Sequence, residues 1–158
     1  MKVLIAGGTG FIGKALTDYL ISCGVEVNVL SRREVRSGDI ASYYKWDVDN
    51  GFIDVKAFEG VDAIVNMTGA NIGEKRWTEK RKIEIVDSRI KPLKLLLKYL
   101  HKLNMHVDTF ISSSAVGFYG ALDTQKIFTE EDRSGHDFLS SVCKQWESAA
   151  LKLNDVAE

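Results

Sequence analysis

Short apolar runs alternate along this chain with longer stretches in which apolar residues recur every three or four positions. The first kind suits strands covered on both faces, and the second suits helices packed against them. Lys2–Ala6 reads as the first strand. In residues 11–23, Ile12, Ala15, Leu16, Tyr19 and Leu20 fall at helical spacing. Gly24 closes that helix in the left-handed conformation. Residues 26–30, 43–46, 62–66 and 109–113 supply four further strands. The helical pattern from 77 to about 103 is interrupted only by Pro92, the single proline. A proline there removes one hydrogen bond and crowds the Ser88 carbonyl, so a kink or break is expected. A last helix covers residues 138–153. This order predicts an α/β fold, a doubly wound parallel sheet of about five strands with flanking helices, in one domain over residues 1–158. Leu93, Leu96, Leu97 and Leu100 suit either the sheet face or a helix contact in a homodimer.

Composition narrows the function classes. Lys and Arg number 21 against 22 Asp and Glu, a formal net charge of -1. No basic excess is present to attract nucleic acid. No apolar run reaches the roughly 20 residues that a membrane span needs. The apolar N-terminal stretch is too short for an export signal and runs into Gly7-Gly8, so a cytoplasmic location is expected. Cys23 and Cys143 lack metal-ligand spacing and read as unpaired thiols in a reducing compartment. His101, His106 and His136 read as surface residues, and no metal site is expected.

Gly7-Gly8-Thr9-Gly10-Phe11-Ile12-Gly13 places three glycines at G-x-x-G-x-x-G spacing between the first strand and the first helix. Gly7 permits the tight turn, Gly10 lets the backbone approach a pyrophosphate, and Gly13 lets helix and strand pack closely. The helix start at Phe11 and Ile12 offers unpaired N–H groups and a partial positive charge. This is the dinucleotide-binding turn of a Rossmann-type sheet. An NAD-selective site carries an acid at the end of the second strand. Here that end reads Leu30-Ser31-Arg32-Arg33, with no acid before Glu34. Ser31 can hydrogen-bond a 2′-phosphate, and Arg32 can pair with it and lie on the adenine. NADP is therefore the expected cofactor. Arg33 either helps or is solvated.

With these segments go Asn66-Met67-Thr68-Gly69-Ala70, Arg76-Trp77-Thr78 running to Ser88-Arg89-Ile90, and Ser112-Ser113-Ser114-Ala115-Val116-Gly117-Phe118-Tyr119-Gly120. Phe138-Leu139 to Trp146-Glu147 completes the set. Together they resemble the extended short-chain dehydrogenase/reductase superfamily, and more narrowly its atypical epimerase branch, similar to nucleoside-diphosphate-sugar epimerases. The resemblance covers the whole chain and about the first half of a family member. A sheet of this class continues into a substrate-binding portion, so the chain is expected to be partial. The resemblance implies cofactor contacts at Ser31, Arg32, Met67, Thr68, Gly69, Glu84 and Arg89. Read from the residues alone, Met67 and Thr68 also suit strand-end packing, and Glu84 and Arg89 also suit surface charges.

The resemblance breaks down at the chemistry. Catalytic members carry a Ser or Thr after the fifth strand and a Tyr-x-x-x-Lys on the next helix, whose lysine lowers the tyrosine pKa. Ser114 fits the serine position. Four residues before Lys144, however, stands Ser140, and a register set on Glu147 gives Leu139 and Cys143. The long-helix asparagine of those enzymes is replaced by Ser88. Tyr119 reads as loop packing and Lys144 as a solvated or phosphate-facing amine. Two functions follow as expectations: an NADP-dependent, epimerase-like oxidoreductase with atypical catalysis on an unknown small molecule, or a non-catalytic NADP-binding sensor or interaction module.

Overall fold

A computed structural model of the chain describes residues 1–32, 41–121 and 125–157. Its elements are β1 (Lys2–Ala6), α1 (Phe11–Ser22), β2 (Glu26–Ser31), β3 (Ser42–Asp47), β4 (Phe52–Ile53), β5 (Ala63–Asn66), α2 (Glu79–Lys102), β6 (Thr109–Ser112) and α3 (Phe138–Ala150). Short 3₁₀ turns lie at Val55–Phe58, Val116–Tyr119 and Leu151–Asp155. The sheet runs β4-β3-β2-β1-β5-β6. Every pairing from β3 across to β6 is parallel, and β4 alone runs antiparallel, against β3. The chain steps outward from β1 to β3, then crosses to β5 and β6 on the other side. That reversal leaves a crevice at the carboxyl ends of β1 and β5, where Rossmann-like sheets place ligands.

Both faces of the central strands are covered, which is why they read as unbroken apolar runs. Val3 and Ile5 join Val27 and Val29 under Leu16, Leu20 and Ile21 of α1. On the other face Leu4, Ala6, Leu30 and Ile64 meet Leu93, Leu96 and Leu100 of α2 and Trp146 of α3. The sheet, then, takes these α2 leucines, with Leu97 partly buried beside them. Among the described residues, no helix is long and apolar enough to cross a membrane.

Four local features differ from the sequence reading. Six strands are present among the described residues, because β4 holds only two residues and is too short to show a period. It is held by the pairing of Trp46 with Ile53 and by Ile53 N donating to Tyr99 Oη at 3.0 Å. The long helix starts at Glu79, because the Thr78 side chain accepts from Arg81 N at 3.2 Å and caps it. It also runs unbroken through Pro92. A mid-helix proline costs about 3 kcal/mol. Leu93, Leu96 and Leu100 are each at most 1% exposed, and full burial of such a side chain stabilises by about 1.5–3 kcal/mol. Burial wins.

The fourth difference is the rotation of α1. Gly13 and Thr17 face the sheet, while Ile12, Ala15 and Tyr19 are exposed. Contact with the turn overrides the apolar stripe, since a Cβ at Gly13 would stand 2.1 Å from Gly7 O. The helix ends as expected, with Gly24 at φ +77° donating to Ile21 O at 2.9 Å. At the far end of the chain, Val156 and Ala157 are buried, and Val107 N donates to Val156 O at 3.0 Å. The last helix is thus followed by a docked segment.

Candidate functional site

The turn after β1 is built against the end of β5. Gly7 sits at φ +90°, and a Cβ there would fall 2.8 Å from Met67 O. Gly10 N donates to Gly7 O at 3.0 Å, closing the turn. Gly10 also caps α1 without any side-chain hydrogen bond, and the first turn carries no acid. The positive end of this helix is therefore uncompensated by its own side chains.

A cleft of about 860 Å³ opens beside it. Gly7, Gly10, Arg32, Met67, Thr68, Gly69 and Glu84 all line it, so the structure gathers these sequence candidates in one place. Phe11 and Ile12 stand at the helix start with exposed side chains, Phe11 at 97%, and are not among the residues that line the cleft. Gly13 is buried in packing, and Ser31 is buried at the end of β2. Arg33 and Glu34 lie outside the described residues.

The ends of β5 and β6 are tied by a polar network. Asn66 is fully buried; its Nδ2 donates to Ser112 Oγ at 3.2 Å, and its Oδ1 accepts from Thr68 Oγ1 at 2.8 Å. Ser113 Oγ donates to Asn66 O at 3.1 Å. Thr68 thus serves strand-end packing and lines the cleft at the same time.

Along α2 the sequence reading missed the dominant residue. Arg81 is 4% exposed, yet it lines the cleft. It meets Glu84 Oε1 at 2.7 Å and Glu74 Oε2 at 3.4 Å, and donates to Asn71 O at 2.5 Å. Its hydrogen bond holds the Glu84 carboxyl below the usual carboxylate range. The i,i+3 spacing of Arg81 and Glu84 was visible in sequence, but not the burial. Ser88 accepts from Ala70 N at 2.8 Å. Arg89 lies under the same loop: it donates to Ala70 O at 3.3 Å and to Ile85 O at 3.0 Å, and sits 5.1 Å from the centre of the Trp146 ring. Burial pushes its guanidinium pKa down. Arg89 is not among the residues that line the cleft.

Ser114 occupies a second hollow, of about 440 Å³, shared with Tyr119, Glu130 and Glu147. Its Oγ donates to Glu147 Oε1 at 2.5 Å. On α3, Ser140 is fully buried, and its hydroxyl donates to the capping carboxylate of Asp137 at 2.8 Å. Lys144 is exposed. Burial, then Glu147, pushes the Cys143 thiol up. Tyr119 donates to Thr129 O at 2.9 Å, and its ring packs on Phe118 and Phe128. Its reading as loop packing is borne out. So is the surface position of His101, His106 and His136.

The model of the NAD dependent epimerase/dehydratase family matches residues 3–142. An epimerase family protein of Mycobacterium leprae is 38% identical over 149 residues, covering 94% of this chain and 47% of that protein. The crystal structure of human epimerase family protein SDR39U1 with NADPH superposes with a TM-score of 0.77 at 32% identity, over 95% of this chain and 48% of that one. The nucleoside-diphosphate sugar epimerase of Corynebacterium glutamicum gives a TM-score of 0.77 at 34% identity, over 99% of this chain and 31% of that one. The chain spans about half the length of the curated relatives it matches.

Proposed function

This chain belongs to the NAD dependent epimerase/dehydratase family, and from that premise we propose that it holds NADP for an epimerase-like oxidoreductase. One observation carries the reading: the uncapped start of α1 and the Arg32 side chain open on a single cleft. N–H groups at Phe11 and Ile12 would take the pyrophosphate, and the bare backbone of Gly10 admits it closely. Arg32 would pair with the 2′-phosphate, where an NAD site carries an acid. That a similar human protein carries NADPH supports the same choice.

When bound, the nicotinamide supplies hydride exchange. The chain's own groups would do the positioning. Ser114 donates its hydroxyl hydrogen bond to Glu147, which would leave the Oγ lone pairs to accept from a substrate hydroxyl. Met67, Thr68 and Gly69 form the floor between the turn and α2. The reading is tested by calorimetric titration of the chain with NADPH and NADH, repeated on Arg32→Ala. Tight NADPH binding that weakens selectively in the variant upholds it. Equal binding of both dinucleotides, or of neither, overturns it.

A second reading, an NADP-binding module without turnover, is favoured by α3. The helix presents no phenol, and the Ser140 hydroxyl in the nearest register is spent on Asp137. Firm NADP binding with no product formed from a panel of nucleotide sugars, assayed by chromatography with both the oxidised and the reduced dinucleotide, would favour it.

A further inference from the structure

β3 runs parallel to β2, and the register partner of Ser31 is Lys45. Paired strands lie about 4.8 Å apart, so Lys45 stands beside the strand end that carries Ser31 and Arg32. Lys45 and Arg32 both line the cleft. Among the described residues neither makes an ion pair within 4.0 Å. Of the cleft's other cations, Arg81 is engaged by Glu74 and Glu84, and Lys91 by Asp87 at 2.9 Å. Lys80 rides on α2 rather than at the strand ends. Asp47, the nearest acid along β3, attracts Lys45 electrostatically without closing an ion pair, and its own hydrogen bonds come from Asn50 N at 3.0 Å and Asn50 Nδ2 at 2.7 Å.

We propose that Lys45 is a specificity-determining residue that joins Ser31 and Arg32 in holding the 2′-phosphate of NADP. The inference rests on the NADP reading above. A phosphate monoester presents three terminal oxygens with a charge near -2 at neutral pH. A guanidinium fork satisfies two of them in its own plane, and a mobile ammonium supplies a point charge to the third. Arg32 directly after β2 and Lys45 within β3 deliver both groups from adjacent strands. Sequence alone hides this pairing, because Lys45 lies 13 positions after Arg32 and only the register of β3 on β2 brings them together.

The test uses adenosine 2′,5′-bisphosphate and adenosine 5′-monophosphate, which differ only in the 2′-phosphate, alongside NADPH and NADH. Lys45→Gln should lose about ten-fold in affinity for the bisphosphate and NADPH, the size of one charge-assisted contact. Its affinity for the monophosphate and NADH should stay within two-fold. Lys45→Arg should retain most of the preference. A wild type that prefers the bisphosphate, with that preference intact in Lys45→Gln, overturns this inference alone. So does an equal loss for all four ligands. A wild type that binds the two adenosine probes equally overturns the NADP reading, and this inference with it.

Discussion

The Arg81 guanidinium holds Glu84 Oε1 at 2.7 Å and, through its other terminal nitrogen, the Asn71 carbonyl at 2.5 Å. One buried cation thus ties the loop after β5 to the first turn of α2, along one wall of the cleft. Both acid partners remain more than half exposed, so losing the arginine lets them return to water and costs less than orphaning a buried charge. Arg81→Ala should destabilise the chain by about 1–2 kcal/mol, the worth of its hydrogen bonds to charged and carbonyl groups. Arg81→Lys should restore little of this, because a point charge cannot span three acceptors. Urea denaturation of both variants measures it; a full rescue by lysine would show that charge alone matters.

Arg89 and Arg32 should separate cleanly in binding experiments. Arg89 fixes Ala70 O and packs beneath Gly69, where a Cβ would come within 3.1 Å of Arg89 Cζ. Its removal loosens the loop that floors the cleft, whichever dinucleotide is bound. Arg89→Ala should therefore weaken NADPH and NADH by similar factors, about ten-fold for one lost charged hydrogen bond. Arg32→Ala should weaken NADPH far more than NADH, which shares only the adenine contact. Selective loss of NADPH in the Arg89 variant would place that guanidinium at the 2′-phosphate instead.

The parts of this site that sequence exposed are those written in local spacing. Gly7, Gly10 and Gly13 mark a strand-to-helix turn whatever surrounds it, and Arg32 is found by counting to the end of the second strand. Met67, Thr68 and Gly69, which the family resemblance implied, stand directly after β5. Arg81 and Lys45 were hidden for different reasons: the partners of Arg81 are local but its burial is not written in their spacing, and Lys45 takes its place from the register of β3 on β2. The rotation of α1 was hidden differently. Its apolar residues predict one face, but a single steric contact between Gly13 and the Gly7 carbonyl selects another. Pro92 shows the same hierarchy, since a local rule for a break yields to the burial of the leucines beyond it.

Acid should act on the cap of α3. Asp137 accepts from Ser140 N, Ser140 Oγ and Ala121 N, each at 2.8 Å. These bonds, chiefly that from Ser140 N, hold its carboxyl at about 2 against an ordinary value of 3.8. A carboxyl depressed in the folded chain stabilises it fully above the unfolded value and loses that contribution as pH falls toward the folded one. The stability gap between wild type and Asp137→Ala should thus be flat above about pH 5 and narrow between 3.8 and 2. Denaturation series at stepped pH read this directly. A gap unchanged down to pH 2 would mean that the charge of Asp137 does not matter to the cap.

Two glycines, Gly13 inside α1 and Gly24 just beyond its end, should respond to alanine for different reasons. At Gly24 the added Cβ meets nothing within 4 Å, so only the left-handed φ of +77° opposes it. That costs about 1–2 kcal/mol. At Gly13 the Cβ would lie 2.1 Å from Gly7 O and 2.7 Å from Gly8 Cα, and both obstacles are backbone that cannot rotate away. Either the helix lifts from the turn or the turn opens, and overpacking of this kind costs about 1–3 kcal/mol. The stabilities of the two variants can therefore overlap, whereas their dinucleotide affinities should not. Gly24 sits at the far end of α1, and Gly24→Ala should bind NADPH like the wild type. Gly13→Ala would displace the N–H groups proposed to take the pyrophosphate and should lose at least ten-fold, the worth of one misplaced charge-assisted bond. Titration of both variants below their unfolding temperatures decides the point. Wild-type affinity in a folded Gly13→Ala would mean that the start of α1 is not where the phosphates bind.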